Sequence, residues 1–145
     1  MNDVILMVED NPDDAQLLER QLQHSRLRHE LHIVPDGREA IDYLSRAGRY
    51  SDMQPVRFPC LLLIDFQVPG VDGFALVEWV RKNRQTKDIP IIIYSGSASP
   101  EDATRAYALG ANACFAKLTG PGHYNLLFSA IQEFYERADR KGPPP

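Results

Sequence analysis

The sequence predicts an α/β fold, a doubly wound parallel sheet with helices on both faces. Three observations lead there. Short apolar runs alternate with helical-period stretches from one end of the chain to the other, and the alternation repeats five times. Four of the five apolar runs also deliver a chemically useful residue at their C-terminal end. Glu9 and Asp10 follow Val4–Val8, Asp65 follows Leu61-Leu62-Leu63-Ile64, Ser95 closes Ile91-Ile92-Ile93-Tyr94, and Lys117 closes Cys114-Phe115-Ala116.

Val4–Val8 is the first strand. Asn11 suits the N-cap of the helix that follows, and Pro12 its first position, where a missing N–H leaves nothing unpaired. Leu17, Leu18 and Leu22 give that helix an apolar face. Glu30–Val34 is the second strand, assigned more by position than by pattern. Gly37 precedes a second helix with Ala40, Ile41 and Leu44 as its inward stripe. Gly48–Pro59 then breaks the rhythm with Gly, Ser, Asp, Gln and two prolines. That is long beside the roughly 2–6 residues usual for such connections, and it suits a family-specific decoration or a partner surface.

Leu61–Asp65 is the third strand, and Gly73–Asn83 the third helix, with Phe74, Val77 and Val80 as core residues. Ile91–Ser95 is the fourth strand. Ser99-Pro100-Glu101-Asp102 starts the fourth helix with an N-cap serine, a first-turn proline and two acids, and Gly110 ends it. Cys114–Lys117 is the fifth strand, and the last helix runs from His123 to Ala138. The chain is expected to hold one domain over residues 1–138. Residues 139–145 form a flexible tail, because Arg140-Lys141-Gly142-Pro143-Pro144-Pro145 cannot continue a helix. Right-handed crossovers leave few topologies for five such units, and the flavodoxin-like strand order 2-1-3-4-5 is a common solution. Its switch point lies between strands one and three, which brings Glu9, Asp10 and Asp65 together.

Composition narrows the function classes. A formal net charge of −4 argues against nucleic-acid or anionic-membrane partners. Cys60 and Cys114 lack metal-ligand spacing and suit two reduced, mostly buried thiols. No run approaches transmembrane length, and Met1-Asn2-Asp3 lacks a signal peptide's start, so a cytoplasmic location is expected. His24, His29, His32 and His123 show no ligand spacing and suit surface or loop positions.

Clustered carboxylates repel one another and need a cation, a proton or a lysine to stay together. A hard divalent ion with oxygen ligands is the simplest answer, and Mg²⁺ fits that donor set. Asp10 and Asp65 supply carboxylates, Glu9 acts through water, and the backbone carbonyl of Gln67 completes the set. If Asp65 attacks a phosphoryl donor, the ion and Lys117 offset charge on the transferring oxygens. Ser95 donates a hydroxyl hydrogen bond, and the backbone N–H groups of Phe66 and Gly96 are further donors.

The pieces Val8-Glu9-Asp10-Asn11, Ile64-Asp65-Phe66-Gln67-Val68-Pro69-Gly70-Val71-Asp72-Gly73, Tyr94-Ser95-Gly96 and Phe115-Ala116-Lys117, in this order at strand ends, resemble the receiver domain of two-component response regulators. The resemblance covers essentially the whole chain. The stretch His29–Gly37 and the long loop before the third strand resemble a narrower group, the single-domain regulators paired with bacterial phytochromes. What the resemblance implies is a phosphoacceptor switch in which Asp65 takes a phosphoryl group from a sensor histidine kinase, a bacteriophytochrome among the candidates, with Mg²⁺. The expected output is a protein contact, with no separate output domain and at most slow self-dephosphorylation. Two positions depart from the family. Leu118 replaces the usual proline after the lysine, and Cys114 stands where many receivers carry an aromatic switch residue.

Bland alternatives exist for each residue. Glu9 and Asp10 could serve the first helix's N-terminus, worth roughly 0.3–1 kcal/mol. Asp65 could end a strand, Ser95 could be a loop hydroxyl and Lys117 a solvated charge. Asp72 is read as structural, shaping its loop or capping the third helix. Two other functions compete with the switch. A phosphohydrolase using an aspartyl-phosphate would carry an acid where Gln67 stands, and a scaffold without phosphorylation would not need all of Glu9, Asp10, Asp65, Ser95 and Lys117. The last helix carries Leu126, Leu127, Phe128, Ile131, Phe134 and Tyr135, an arc wide enough to suggest a homodimer or kinase-docking face.

Overall fold

The computed structural model describes residues 3–52, 58–96, 99–117 and 123–141, the last span without the side chains of 123 and 136–141. The five strands are β1 Val4–Val8, β2 Glu30–Val34, β3 Leu61–Ile64, β4 Ile91–Ser95 and β5 Ala113–Ala116. They are all parallel and lie in the order β2-β1-β3-β4-β5, as expected. The helices are α1 Pro12–Gln23, α2 Gly37–Ser45, α3 Gly73–Lys82, α4 Pro100–Leu109 and α5 His123–Lys141, with one 3₁₀ turn at Gly48–Tyr50 in the long loop.

Strand alternation sends residues to two cores. Leu6, Val8, Leu62, Ile64, Ile91 and Ile93 meet Ala40 and Leu44 of α2, Leu76, Val77 and Val80 of α3, and Ala106 of α4. Ile5, Met7, Leu61, Leu63, Ile92 and Tyr94 lie under Ala15, Leu18 and Leu22 of α1 and Leu127 and Ile131 of α5. Every residue of β1, β3 and β4 is therefore buried, which is why those runs are continuously apolar rather than alternating.

Register carries the chemistry to one edge. Val8 pairs with Ile64, and Asp65 N–H extends the ladder by donating to the Val8 carbonyl at 3.1 Å. Glu9 N–H donates in the same way to the Val34 carbonyl at 3.0 Å, and Lys117 N–H to the Ser95 carbonyl at 2.9 Å. The acids, the hydroxyl and the lysine thus leave the sheet on backbone that the ladder still holds.

Helix ends follow their cap residues. Asn11 Oδ1 accepts from Asp13 N–H at 2.9 Å, Asp72 Oδ1 from Ala75 N–H at 2.9 Å, and Ser99 and Asp102 form a reciprocal capping box. Gly110, at φ +117°, closes α4 in a left-handed conformation.

Several boundaries and faces differ from the sequence reading. Leu17 is 43% exposed, because the helical period gathers Ala15, Leu18 and Leu22 on one side and turns Leu17 away. β5 starts one residue earlier and leaves Lys117 just beyond its end, as β3 leaves Asp65. α3 stops at Lys82 and uses Asn83 as its cap. Leu76 is fully buried there, and Phe74 only half-buried. α5 runs on to Lys141, beyond the Ala138 expected. Asp139, Arg140 and Lys141 can all be helical, and the basic pair suits the negative end of the helix dipole; glycine and proline begin only at Gly142 and Pro143. The remainder of the expected tail, residues 142–145, lies outside the described residues, as do Leu118 and the side chain of His123. Both cysteines are free and half-buried, and burial pushes the Cys60 thiol up to about 12. Among the described residues no helix is long and apolar enough to cross a membrane.

Two histidines are more than surface residues. His32 Nδ1 lies 2.7 Å from the Tyr43 hydroxyl. His29 sets its ring edge-on against Tyr135 of α5, centroids 5.0 Å apart, and both its nitrogens are buried without a hydrogen-bond partner. Burial lowers the His29 pKa below its ordinary 6.5, against a smaller upward pull from Asp3. The unfolded chain therefore takes up this proton more readily than the folded one. The stability from neutral His29 is present above the unfolded value and is lost as pH falls through the folded one. In urea unfolding at a series of pH values, His29→Phe should flatten the decline of stability between about pH 7 and about pH 5; parallel curves for the two proteins would assign the decline to other groups.

Candidate functional site

Four strand ends and the first turn of α1 build one acidic hollow. Glu9 and Asp10 come from the β1–α1 junction, Asp65 from the end of β3, Ser95 from the end of β4 and Lys117 from the end of β5. Glu9, Asp65 and Ser95 are buried, while Asp10 is exposed. All five residues expected from the sequence meet there.

Each oxygen of Asp65 is held. Ser95 Oγ donates to its Oδ1 at 2.9 Å and Gln67 N–H to the same oxygen at 3.0 Å, while Lys117 Nζ donates to Oδ2 at 2.9 Å. Glu9 receives Lys117 on Oε1 and the Asn11 N–H on Oε2, the latter at 3.2 Å. Lys117 has a third partner that sequence reasoning missed, Asp14 Oδ2 at 3.1 Å. No local signal pointed to it: Asp14 is one of two acids in the first turn of α1, and its partner lies at the far end of the chain.

The two buried acids sit in different electrostatic states. Burial alone would raise Asp65, but the hydrogen bonds from Lys117 and then from Gln67 N–H outweigh it and hold the carboxyl below its usual range. Glu9 goes the other way. Its burial outweighs the Lys117 hydrogen bond, the charge on Asp65 adds to the rise, and the carboxyl is held above its usual range. Lys117 is pulled down by burial, yet its hydrogen bonds to Asp65 and Glu9 win and raise it, so it stays an ammonium.

The same donor set fits a divalent cation. One oxygen from each of Glu9, Asp10 and Asp65 lies within 4.8 Å of the others, and carboxylate oxygens are the ligands that hard ions prefer. Phe66 and Gly96 follow Asp65 and Ser95 directly in the chain, so their N–H groups are at the same edge.

The loop behind Asp65 is fixed by close backbone approach. The Phe66 carbonyl accepts from Gly73 N–H at 3.2 Å, and the Phe66 ring stacks on Phe74 with centroids 4.3 Å apart. A Cβ on Gly73 would lie 2.8 Å from both the Asp65 carbonyl oxygen and Phe66 Cα, so no side chain fits without moving the Asp65 backbone. Gly73→Ala should therefore cost about 1–3 kcal/mol in urea unfolding. It should also shift the amide resonances of residues 65–67; unchanged stability and spectra would show that the loop yields freely.

The chain has relatives of similar sequence and fold. The profile of the response regulator receiver domain matches residues 5–126. The response regulator Rcp1 of Synechocystis sp. is 33% identical over 129 residues, which is 89% of this chain and 84% of that protein. The crystal structure of its Mn²⁺-bound form superposes with a TM-score of 0.78 at 30% identity, over 92% of this chain and 94% of that one. The phosphorylated cyanobacterial phytochrome response regulator RcpA gives a TM-score of 0.79 at 30% identity, over 92% and 94% of the two chains. The bacteriophytochrome response regulator AtBRR gives 0.79 at 34% identity, over 92% and 93%.

Proposed function

The chain belongs to the response regulator receiver family and is a phosphoacceptor signalling domain, and from that premise we propose that Asp65 is the phosphorylated residue and that Mg²⁺ is its cofactor. The observation that carries the reading is the state of Asp65: ionised, buried at the sheet edge, and gripped by Lys117 and Ser95, groups that can transfer their hydrogen bonds to a phosphoryl group. Carboxylate oxygens of Glu9 and Asp10 converge beside it.

In the proposed reaction an Asp65 oxygen forms the new P–O bond while the P–N bond to the kinase histidine breaks, and the departing imidazole takes up a proton. Glu9, Asp10, Asp65 and the Gln67 carbonyl would hold Mg²⁺, which would offset the negative charge that the transferring group brings. Lys117 and the Ser95 hydroxyl follow the phosphoryl oxygens, and the Phe66 and Gly96 amides add donors. Gln67 is an amide where a hydrolase would need an acid, which supports slow self-dephosphorylation and a signalling role over turnover.

The kinase partner is proposed to be a sensor histidine kinase of the phytochrome class, on the strength of the likeness to RcpA and AtBRR. Incubation with acetyl phosphate and Mg²⁺ should add one phosphoryl group to the intact mass of the native protein. EDTA or Asp65→Asn should abolish it. A native protein that gains no mass and also binds no beryllofluoride would put the scaffold reading in first place.

A homodimer through α5 is also proposed. Leu127 and Ile131 are buried in the core, but Leu126 is 68% exposed, and edge strand β5 is only partly covered. Sedimentation should show a dimer at high protein concentration that Leu126→Asp dissociates. A native protein that stays monomeric with and without phosphorylation would remove the proposal.

A further inference from the structure

Lys117 Nζ touches three carboxylates, and they are not equivalent. Glu9 and Asp65 belong to the trio whose oxygens converge within 4.8 Å; Asp14, at 3.1 Å from the ammonium, does not. Asp14 stands in the first turn of α1, its side chain 40% exposed against 14% for Lys117. Its position is well defined. Asn11 Oδ1 accepts from the Asp14 N–H at 3.3 Å, and the Asn11 N–H donates to Glu9 Oε2 at 3.2 Å, so cap, Glu9 and Asp14 form one connected unit.

A divalent ion entering among Glu9, Asp10 and Asp65 would compete with Lys117 for two of the carboxylates it now holds, and it would repel the ammonium. The lysine must then move. While they share Lys117, the acids crowd around one positive charge and repel each other, which weakens the hold of Asp14. Once an ion neutralises Glu9 and Asp65, Asp14 is the carboxylate left to the ammonium, and their attraction grows. By linkage, an ion pair that strengthens when the ion binds must in turn strengthen ion binding.

We propose that Asp14 is a positioning residue, the carboxylate onto which Lys117 shifts when a divalent ion takes Glu9 and Asp65. The 3.1 Å contact already present places it one small movement from that state. Asp14 keeps the ammonium at the rim, within reach of an incoming phosphoryl oxygen, and acts on the ion through Lys117. This rests on the metal-dependent phosphoacceptor reading.

The test is calorimetric titration of Mg²⁺ into four proteins: native, Asp14→Asn, Lys117→Met and the double variant. Native binding checks the underlying reading by itself; a native protein that binds no Mg²⁺ overturns both. Given native binding, Asp14→Asn should weaken it about three- to fivefold, the size of a half-exposed ion pair. Asp14→Glu, which keeps the charge, should restore most of the affinity. In the Lys117→Met background the same Asp14→Asn change should alter affinity by less than about 1.5-fold, because the partner through which it acts is gone. An equal loss in both backgrounds would show that Asp14 acts by its own charge on the ion, and no loss in the native background would sink the proposal outright. Should Lys117→Met fail to fold, a crystal structure of the Mg²⁺-loaded native protein decides. Lys117 Nζ hydrogen-bonded to Asp14 and clear of Glu9 supports the shift, and an ammonium still on Glu9 overturns it.

Discussion

The structure depends on one electrostatic constraint: acids gathered at the C-terminal edge of a parallel sheet are stable only with positive charge among them. Lys117 supplies it, reaching Glu9, Asp14 and Asp65 from the end of β5. The edge is not free to relax, since the ladder holds the Glu9, Asp65 and Lys117 backbones and Gly73 packs against the carbonyl of Asp65. Removing one partner would strand buried charge, a costlier defect than losing a surface pair. The arrangement therefore accepts exchange of its cation more easily than loss of one, which is what the proposed entry of an ion and a phosphoryl group requires.

The same crowding separates the two buried carboxyls. Asp65, with donors on both oxygens, is stabilised as the anion; Glu9, deeper and beside another negative charge, is pushed toward protonation. Carboxyls forced apart in this way take different roles. In the proposed reaction the nucleophile is the one held below its usual range, and the one held above it would gain most from a divalent neighbour. Here the division follows from burial, hydrogen bonds and neighbouring charge.

Much of this was legible in the sequence because it rests on position in the chain. Strands buried on both faces read as unbroken apolar runs, and the residue after such a run must appear at the sheet edge, so Glu9, Asp10, Asp65, Ser95 and Lys117 could be placed without coordinates. Caps were equally local: Asn11 and Ser99 act through residues two or three positions away. What escaped was set by the rotation of a helix or by a distant partner. Leu17 and Leu18 look alike as letters, and only the phase of α1 decides that one is exposed and the other buried. Asp14 looked like a first-turn acid, and its partner is a lysine more than one hundred residues away. His29 is a loop residue as read, but its edge-on packing against Tyr135 of α5 was not legible.

Cys114 poses the sharper question of how a change at Asp65 reaches a surface without the family's usual aromatic residue. Cys114 is half-buried against the core under α2, α3 and α4, too small to span from the site to the exterior. Larger groups make that span elsewhere. Phe66, next to Asp65 in the chain, stacks on Phe74 of α3, and the Arg105 guanidinium of α4 lies 4.0 Å from the Phe74 ring centroid. α4 buries only Ala106 among its ten residues, so little besides its neighbours on α3 and β5 fixes its position. A packed route exists from the Asp65 backbone to α4, the helix with the fewest buried side chains among the described residues, and it runs through two phenylalanines and an arginine rather than through position 114. A connected route is necessary for coupling and not sufficient, since signalling also requires two arrangements of comparable free energy. α4, with one buried side chain, has little apolar burial to give up in a second arrangement.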